Sequence, residues 1–149
     1  MKTFSDNAGR TWQFALTIDS AKRVKHLLNV NLLELQEGDP PLLTRLGTDV
    51  ILLCDIIYAL IKPQADQLQV TDQQFGAALG GDVILAAQKA VYEELINFFQ
   101  SLARTDMARA IQAQQRLIEA AIRHVESGVA DAEAKALGDL STKSPASSA

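Results

Sequence analysis

The side chains able to do acid–base, nucleophilic or metal chemistry are few and scattered. His26 and His124 lie far apart in the chain, and neither has a carboxylate or cysteine beside it at ligand spacing, so no metal site is expected. Both read as surface residues of helices. Cys54, the only cysteine, sits in the most apolar run, 50-VILLCDIIYALI-61, where a thiol behaves as a small hydrophobe and its thiolate is disfavoured. Glu93 and Glu94 are adjacent, and helical geometry turns them about 100° apart instead of toward one reacting centre. The glycines of 76-GAALGGD-82 lack the Lys-Ser/Thr ending of a phosphate loop and follow a helix where a dinucleotide fingerprint needs a strand. They read as a helix stop. No catalytic residue, cofactor or metal is therefore expected, and the chain reads as a non-enzymatic binding protein.

Asp55 is the polar residue that stands out, because it interrupts a run of Val, Ile and Leu and a buried unpaired carboxylate is costly. Two readings are open. It faces the wet edge of its helix or pairs with a Lys or Arg, or it is a polar anchor in a groove for a partner. Nucleic acid is not an expected partner: the formal charge is −4, and basic and aromatic residues are not interleaved. Nor is a membrane, since the apolar run of twelve residues spans only about 18 Å as a helix against a bilayer core of roughly 30 Å. A start of MKTFSDNAGR has no apolar core of signal-peptide length, and a lone cysteine suits a reducing compartment, so a cytoplasmic location is expected.

The elements that must position these residues begin with a hairpin in 3-TFSDNAGRTWQFALTID-19. Trp12, Phe14, Leu16 and Ile18 alternate with Thr11, Gln13, Ala15 and Thr17, the pattern of a half-buried strand, and Phe4 matches them on the first strand. Asp6, Asn7 and Gly9 between them tolerate positive φ. A lone hairpin is marginal in water, so this one either closes a helical core as a lid or offers an open edge to a partner. In the second reading residues 2–6 or 11–17 extend a sheet in a second copy or a client while Trp12, Phe14 and Leu16 rest on the helices, and Thr3, Thr11, Trp12 and Asp55 are the candidate partner-binding residues.

Helices account for the rest, a mainly α (α+β) class with a hairpin followed by a bundle of five to six helices. Asp19 or Ser20 caps a helix to about Leu28, with Val24, Leu27 and Leu28 inside and Lys22, Arg23, Lys25 and His26 outside, on a solvated face or as a small basic contact patch. The stretch 29-NVNLLELQEGDPP-41 reads as a helix end or short strand giving way to a turn. Asp49 caps the 50–61 helix, which Pro63 ends or kinks. In 70-VTDQQF-75, Thr71 and Gln74 form a capping box and Val70 and Phe75 a hydrophobic staple. Asp82 caps a long helix to about Leu102 with a wide apolar stripe, and the 50–61 and 82–102 helices form the centre. From about Thr105 to Glu126 a further helix carries Met107, Ile111, Ile118 and Val125 on one face, with Gln114 also inward, which favours an antiparallel hairpin with the helix before it over a coiled coil. One domain is expected over 1–127 (hairpin 1–18, helical core 19–102, last helix 103–127), then a flexible tail over 128–149, disordered across 141-STKSPASSA-149.

With these segments in order, 1-MKTFSDNAGRTW-12, 22-KRVKHLLNVNLLEL-35, 52-LLCDIIYALIKPQAD-66 and 71-TDQQFGAALGGD-82 resemble the tail assembly chaperones encoded in tail-gene modules of tailed bacteriophages and prophages. The resemblance covers about residues 1–100 and lies in word order and general character; the part beyond residue 102 departs from the group. It implies a protein of the host cell cytoplasm that binds the tape measure protein, keeps it soluble and helps tail tube subunits polymerise around it, with a homo-oligomer among the states open to it. The alternative is a structural or adaptor protein of a phage particle or prophage module.

Overall fold

A computed structural model describes the backbone of residues 1–143 and the side chains of residues 1–138. The chain forms two compact units, one of Met1–Gln115 and a second that begins at Arg116.

The first unit opens with strands β1 (Lys2–Ser5) and β2 (Thr11–Phe14), antiparallel, with Phe4 opposite Trp12 and Thr3 opposite Gln13. Burial alternates along both, as the two-residue repeat requires: Phe4, Trp12 and Phe14 are inside, and Thr3, Ser5, Thr11 and Gln13 form an exposed outer face. Of the three turn residues only Gly9 takes a positive φ, +81°, where its lack of a Cβ removes the penalty. Asp6 shapes the turn with its carboxylate instead.

Six helices follow: α1 (Ile18–Leu28), α2 (Leu42–Thr48), α3 (Val50–Gln67), α4 (Asp72–Ala77), α5 (Asp82–Ser101) and α6 (Thr105–Lys143). The expected class, a hairpin before a helical bundle, is the class observed. Helix α3 touches α1, α2, α4, α5 and β2, while β1 lies on α5, so α3 and α5 form the centre as expected. Leu53, Ile56, Ile57 and Ile61 of α3 and Val91, Tyr92, Leu95 and Phe99 of α5 supply much of the core. The capping box of Thr71 and Gln74 is present, and both staple residues, Val70 and Phe75, are buried. Phe75 then becomes an aromatic hub, with ring centroids 5.4 Å from Trp12, 5.5 Å from Tyr58 and 6.3 Å from Phe4.

Several boundaries differ from the sequence reading. Thr17, not Asp19 or Ser20, caps α1, because the Ser20 side chain is the reciprocal partner in a capping box. No strand forms in 29–41; Leu32 and Leu35 are fully buried there in an irregular segment. Helix α3 does not end at Pro63 but runs on to Gln67. Proline has no amide hydrogen to offer the carbonyl of Ala59. Arg23 replaces it, its Nη1 donating to the Ala59 carbonyl at 3.0 Å and to that of Leu60 at 3.2 Å. Arg23 is thus half-buried against α3 and not on a solvated face.

In α6, Met107, Ala108 and Ile111 are buried, and no side chain from 112 to 138 is. The expected antiparallel hairpin is therefore not borne out past Ile111, and the first unit ends at Gln115, short of residue 127. The second unit is the rest of α6. Residues 128–143, expected as flexible tail, are helical, which fits their run of Ala, Glu and Lys, all good helix formers, around two tolerated glycines. The remainder of the expected disordered tail, residues 144–149, lies outside the described residues.

Candidate functional site

Thr3 and Thr11 lie together on the outer face of the hairpin, but the two strand edges they border are not equivalent. In an antiparallel pair, alternate residues direct both backbone groups outward. On β2 these are Thr11 and Gln13, and one side chain occupies both positions: Gln64 Nε2 donates to the Thr11 carbonyl at 2.9 Å, and Gln64 Oε1 accepts from the Gln13 amide at 3.0 Å. A side-chain amide here makes the two bonds that a third strand would make. Beyond the strand Ser20 Oγ donates to the Ala15 carbonyl and accepts from the Thr17 amide, each at 2.9 Å. The edge over 11–17 is thereby closed, which corrects the expectation that it could receive a partner strand. On β1 the corresponding residues are Thr3 and Ser5. Both are exposed, and their outward amides have no partner among the hydrogen bonds of the described residues, whereas the next outward amide, Asn7 N–H, donates to the Ala78 carbonyl at 2.9 Å and α5 lies along β1.

Trp12 is fully buried, so it does not touch a partner; its task is to fix the hairpin. Its Nε1 donates to Asp6 Oδ2 at 2.8 Å, and Arg10 Nε donates to the same oxygen at 2.8 Å. Asp6 Oδ1 accepts from the amides of Ala8 and Arg10 at 2.9 and 3.0 Å. Burial alone would raise this carboxyl, but the donors from Trp12 and Arg10 outweigh it and hold Asp6 below the ordinary carboxylate range. The register of β1 against β2 is locked at the turn, so the open edge is presented in one conformation.

Asp55 lies apart from the hairpin, in a groove of about 200 Å³ between α1 and α3 lined by Leu27, Leu28, Tyr58, Ala59, Lys62 and Asp72. Leu27 is 46% exposed at its rim, which corrects its expected place on the inner side of α1. Asp55 has no ion pair among the described residues. Lys62, the nearby cation, is taken by Asp66 at 2.9 Å. Burial first, and then the charges of Asp72 and Asp49, push the Asp55 carboxyl up. The groove can receive an apolar side chain with a cationic or hydrogen-bond-donating group beside it.

No three His, Cys, Asp or Glu side chains meet as a ligand set among the described residues. Cys54 is half-buried, and burial together with Asp55 pushes its thiol up, away from the reactive thiolate. No helix among the described residues is long and apolar enough to cross a membrane.

Two residues that shape this surface escape the sequence reading. Gln64 and Arg23 bond across 51 and 36 positions of the chain, respectively. The one local signal was Pro63, whose missing amide leaves a carbonyl that some donor must satisfy. The chain matches no family model, no curated protein and no solved structure.

Proposed function

We propose that this chain is a non-enzymatic tail assembly chaperone of a bacteriophage or prophage, which binds the tape measure protein and assists tail tube assembly. The client and the tube subunits rest on the resemblance of residues 1–100. The binding mode rests on one observation: Gln64 covers the Thr11 carbonyl and the Gln13 amide of β2, while the outward amides of Thr3 and Ser5 on β1 have no partner among the described residues. Main-chain pairing along β1 gives affinity with little demand on client sequence, which suits a chaperone for a long and varied chain. The α1–α3 groove adds selectivity, Leu27 and Tyr58 taking an apolar side chain and Asp55 a basic neighbour.

Co-expression with the tape measure protein of the same gene module tests the reading. The expected result is a client moved into the soluble fraction and co-purifying with this chain, with this chain missing from purified particles by mass spectrometry. An insoluble client would overturn the proposal. Stoichiometric presence in the particle would favour a structural or adaptor protein instead.

A further inference from the structure

The groove between α1 and α3 carries negative charge that the chain itself does not neutralise. Asp55 is half-buried in its wall and Asp72 is exposed beside it, and neither has an ion pair among the described residues. Asp49 adds a third charge near enough to act on Asp55. Lys62, the one cation among the lining residues, is held by both oxygens of Asp66, at 2.9 and 3.2 Å. The other walls are Leu27, Leu28, Ala59 and the ring of Tyr58, whose hydroxyl already donates to the Val70 carbonyl at 3.0 Å.

Size and charge together select the occupant. At about 200 Å³ the groove falls below the roughly 300–1,000 Å³ of pockets that enclose a small molecule, so it suits one side chain projecting from a larger partner. A wholly apolar side chain would strip water from Asp55 and leave a carboxylate without a partner, which is costly. An acidic one would be repelled by Asp55 and Asp72. A long basic side chain meets both demands, with an apolar stem for the leucines and a cationic head for the carboxylates. Of the two, arginine is the more weakly hydrated, which favours it at a half-buried carboxylate, and its five donors suffice for two acidic partners. We infer that the α1–α3 groove is a pocket for one arginine side chain of the client, with the stem along Leu27, Leu28 and Ala59 and the guanidinium at Asp55. The inference rests on the chaperone reading for who supplies the arginine and sharpens it: the apolar contact and the basic contact of the groove belong to a single residue.

Nuclear magnetic resonance titration of the full chain with blocked tripeptides tests the pocket without any client. The central residue between two alanines is arginine, citrulline or norleucine; citrulline keeps the shape of arginine without its charge, so the comparison needs no variant that could misfold. The arginine peptide is expected to shift the resonances of Leu27, Leu28, Tyr58 and Ala59 saturably, in the millimolar range. Citrulline and norleucine peptides are expected to bind about tenfold more weakly or worse, the loss of a charge-assisted hydrogen bond. Asp55→Asn, with Trp12 fluorescence as in wild type, should weaken the arginine peptide to the same level. Shifts that do not saturate, equal binding of the three peptides, shifts centred away from the groove, or an Asp55→Asn protein that binds as wild type does would each overturn the inference. Such a result leaves the solubilisation of the tape measure protein to be read on its own, and an insoluble client leaves the peptide result standing, so the two failures are distinguishable.

Discussion

Arg23 on α1 and Ala59 on α3 are joined by a 3.0 Å hydrogen bond from guanidinium to main-chain carbonyl, at the carbonyl that Pro63 leaves without its helical donor. The same guanidinium reaches the Leu60 carbonyl, so one side chain lets α3 pass through its proline and fastens α1 to it. Asp19 holds it from the other side at 3.2 Å.

Arg23→Ala should cost about 1.5–3 kcal/mol, the range for a hydrogen bond from a charged donor to a part-buried acceptor. Restoring the helical amide with Pro63→Ala should reduce that cost, because Ala59 then has its own donor. A double-mutant cycle by urea unfolding reads the coupling; additive effects would separate Arg23 from the proline.

The Asp6 carboxylate makes stability depend on acid. Its folded-state value is depressed by the Trp12 and Arg10 donors against the opposing effect of burial, so its contribution is present at neutral pH and is lost as pH falls through the carboxylate range and on below it. Asp6→Asn should lower stability at pH 7 and flatten the decline below about pH 4, the ordinary carboxylate range. Thermal melts across pH for the two proteins check both the sign and the window.

Tyr92 is buried with its hydroxyl lacking a hydrogen-bond partner among the described residues, and burial pushes its pKa from 10.0 up to about 12. An unpartnered hydroxyl contributes desolvation cost without a bond. Tyr92→Phe should therefore leave stability unchanged or raise it by up to about 1 kcal/mol. In alkali the unfolded chain ionises first, so wild type loses stability as pH rises from 10 toward 12 and the variant lacks that component.

Leu53 and Leu95 are 1% and 2% exposed at the centre of α3 and α5. Each Leu→Ala change should cost about 2–5 kcal/mol, the spread set by how far the surroundings relax into the cavity. Denaturant midpoints near wild type at both positions would remove the core assignment.

Local chemistry made much of this architecture legible. Alternation exposed the hairpin, Thr71 and Gln74 the start of α4, and Asp49 the cap of α3, each within a few residues. What stayed hidden depends on distance. Nothing near Gln64 announces that its amide will stand in for a strand beside Thr11 and Gln13, and nothing near Arg23 says that it serves a helix 36 positions on. Helix α6 hid for another reason: alanine-rich sequence without a wide buried face resembles a tail until its propensity is counted. At the candidate site, Thr3 was legible from its place on the short first strand and Asp55 from its interruption of an apolar run, and the expected seat of Trp12 on the helices is observed, whereas its second reading as a partner contact fails because a large aromatic in a strand serves a core as readily as a partner.

Pairing of a client with the β1 edge is tested most directly by the fraction of tape measure protein kept soluble by co-expressed Thr3→Pro and Thr11→Pro variants. A proline at Thr3 removes an outward amide from the β1 edge, while one at Thr11 alters an edge whose Thr11 carbonyl and Gln13 amide Gln64 already covers. With Trp12 fluorescence matching wild type in both, the account predicts that Thr3→Pro loses solubilisation and Thr11→Pro retains it. Equal solubilisation by Thr3→Pro and wild type would contradict edge pairing and leave the hairpin as a lid over the helical core.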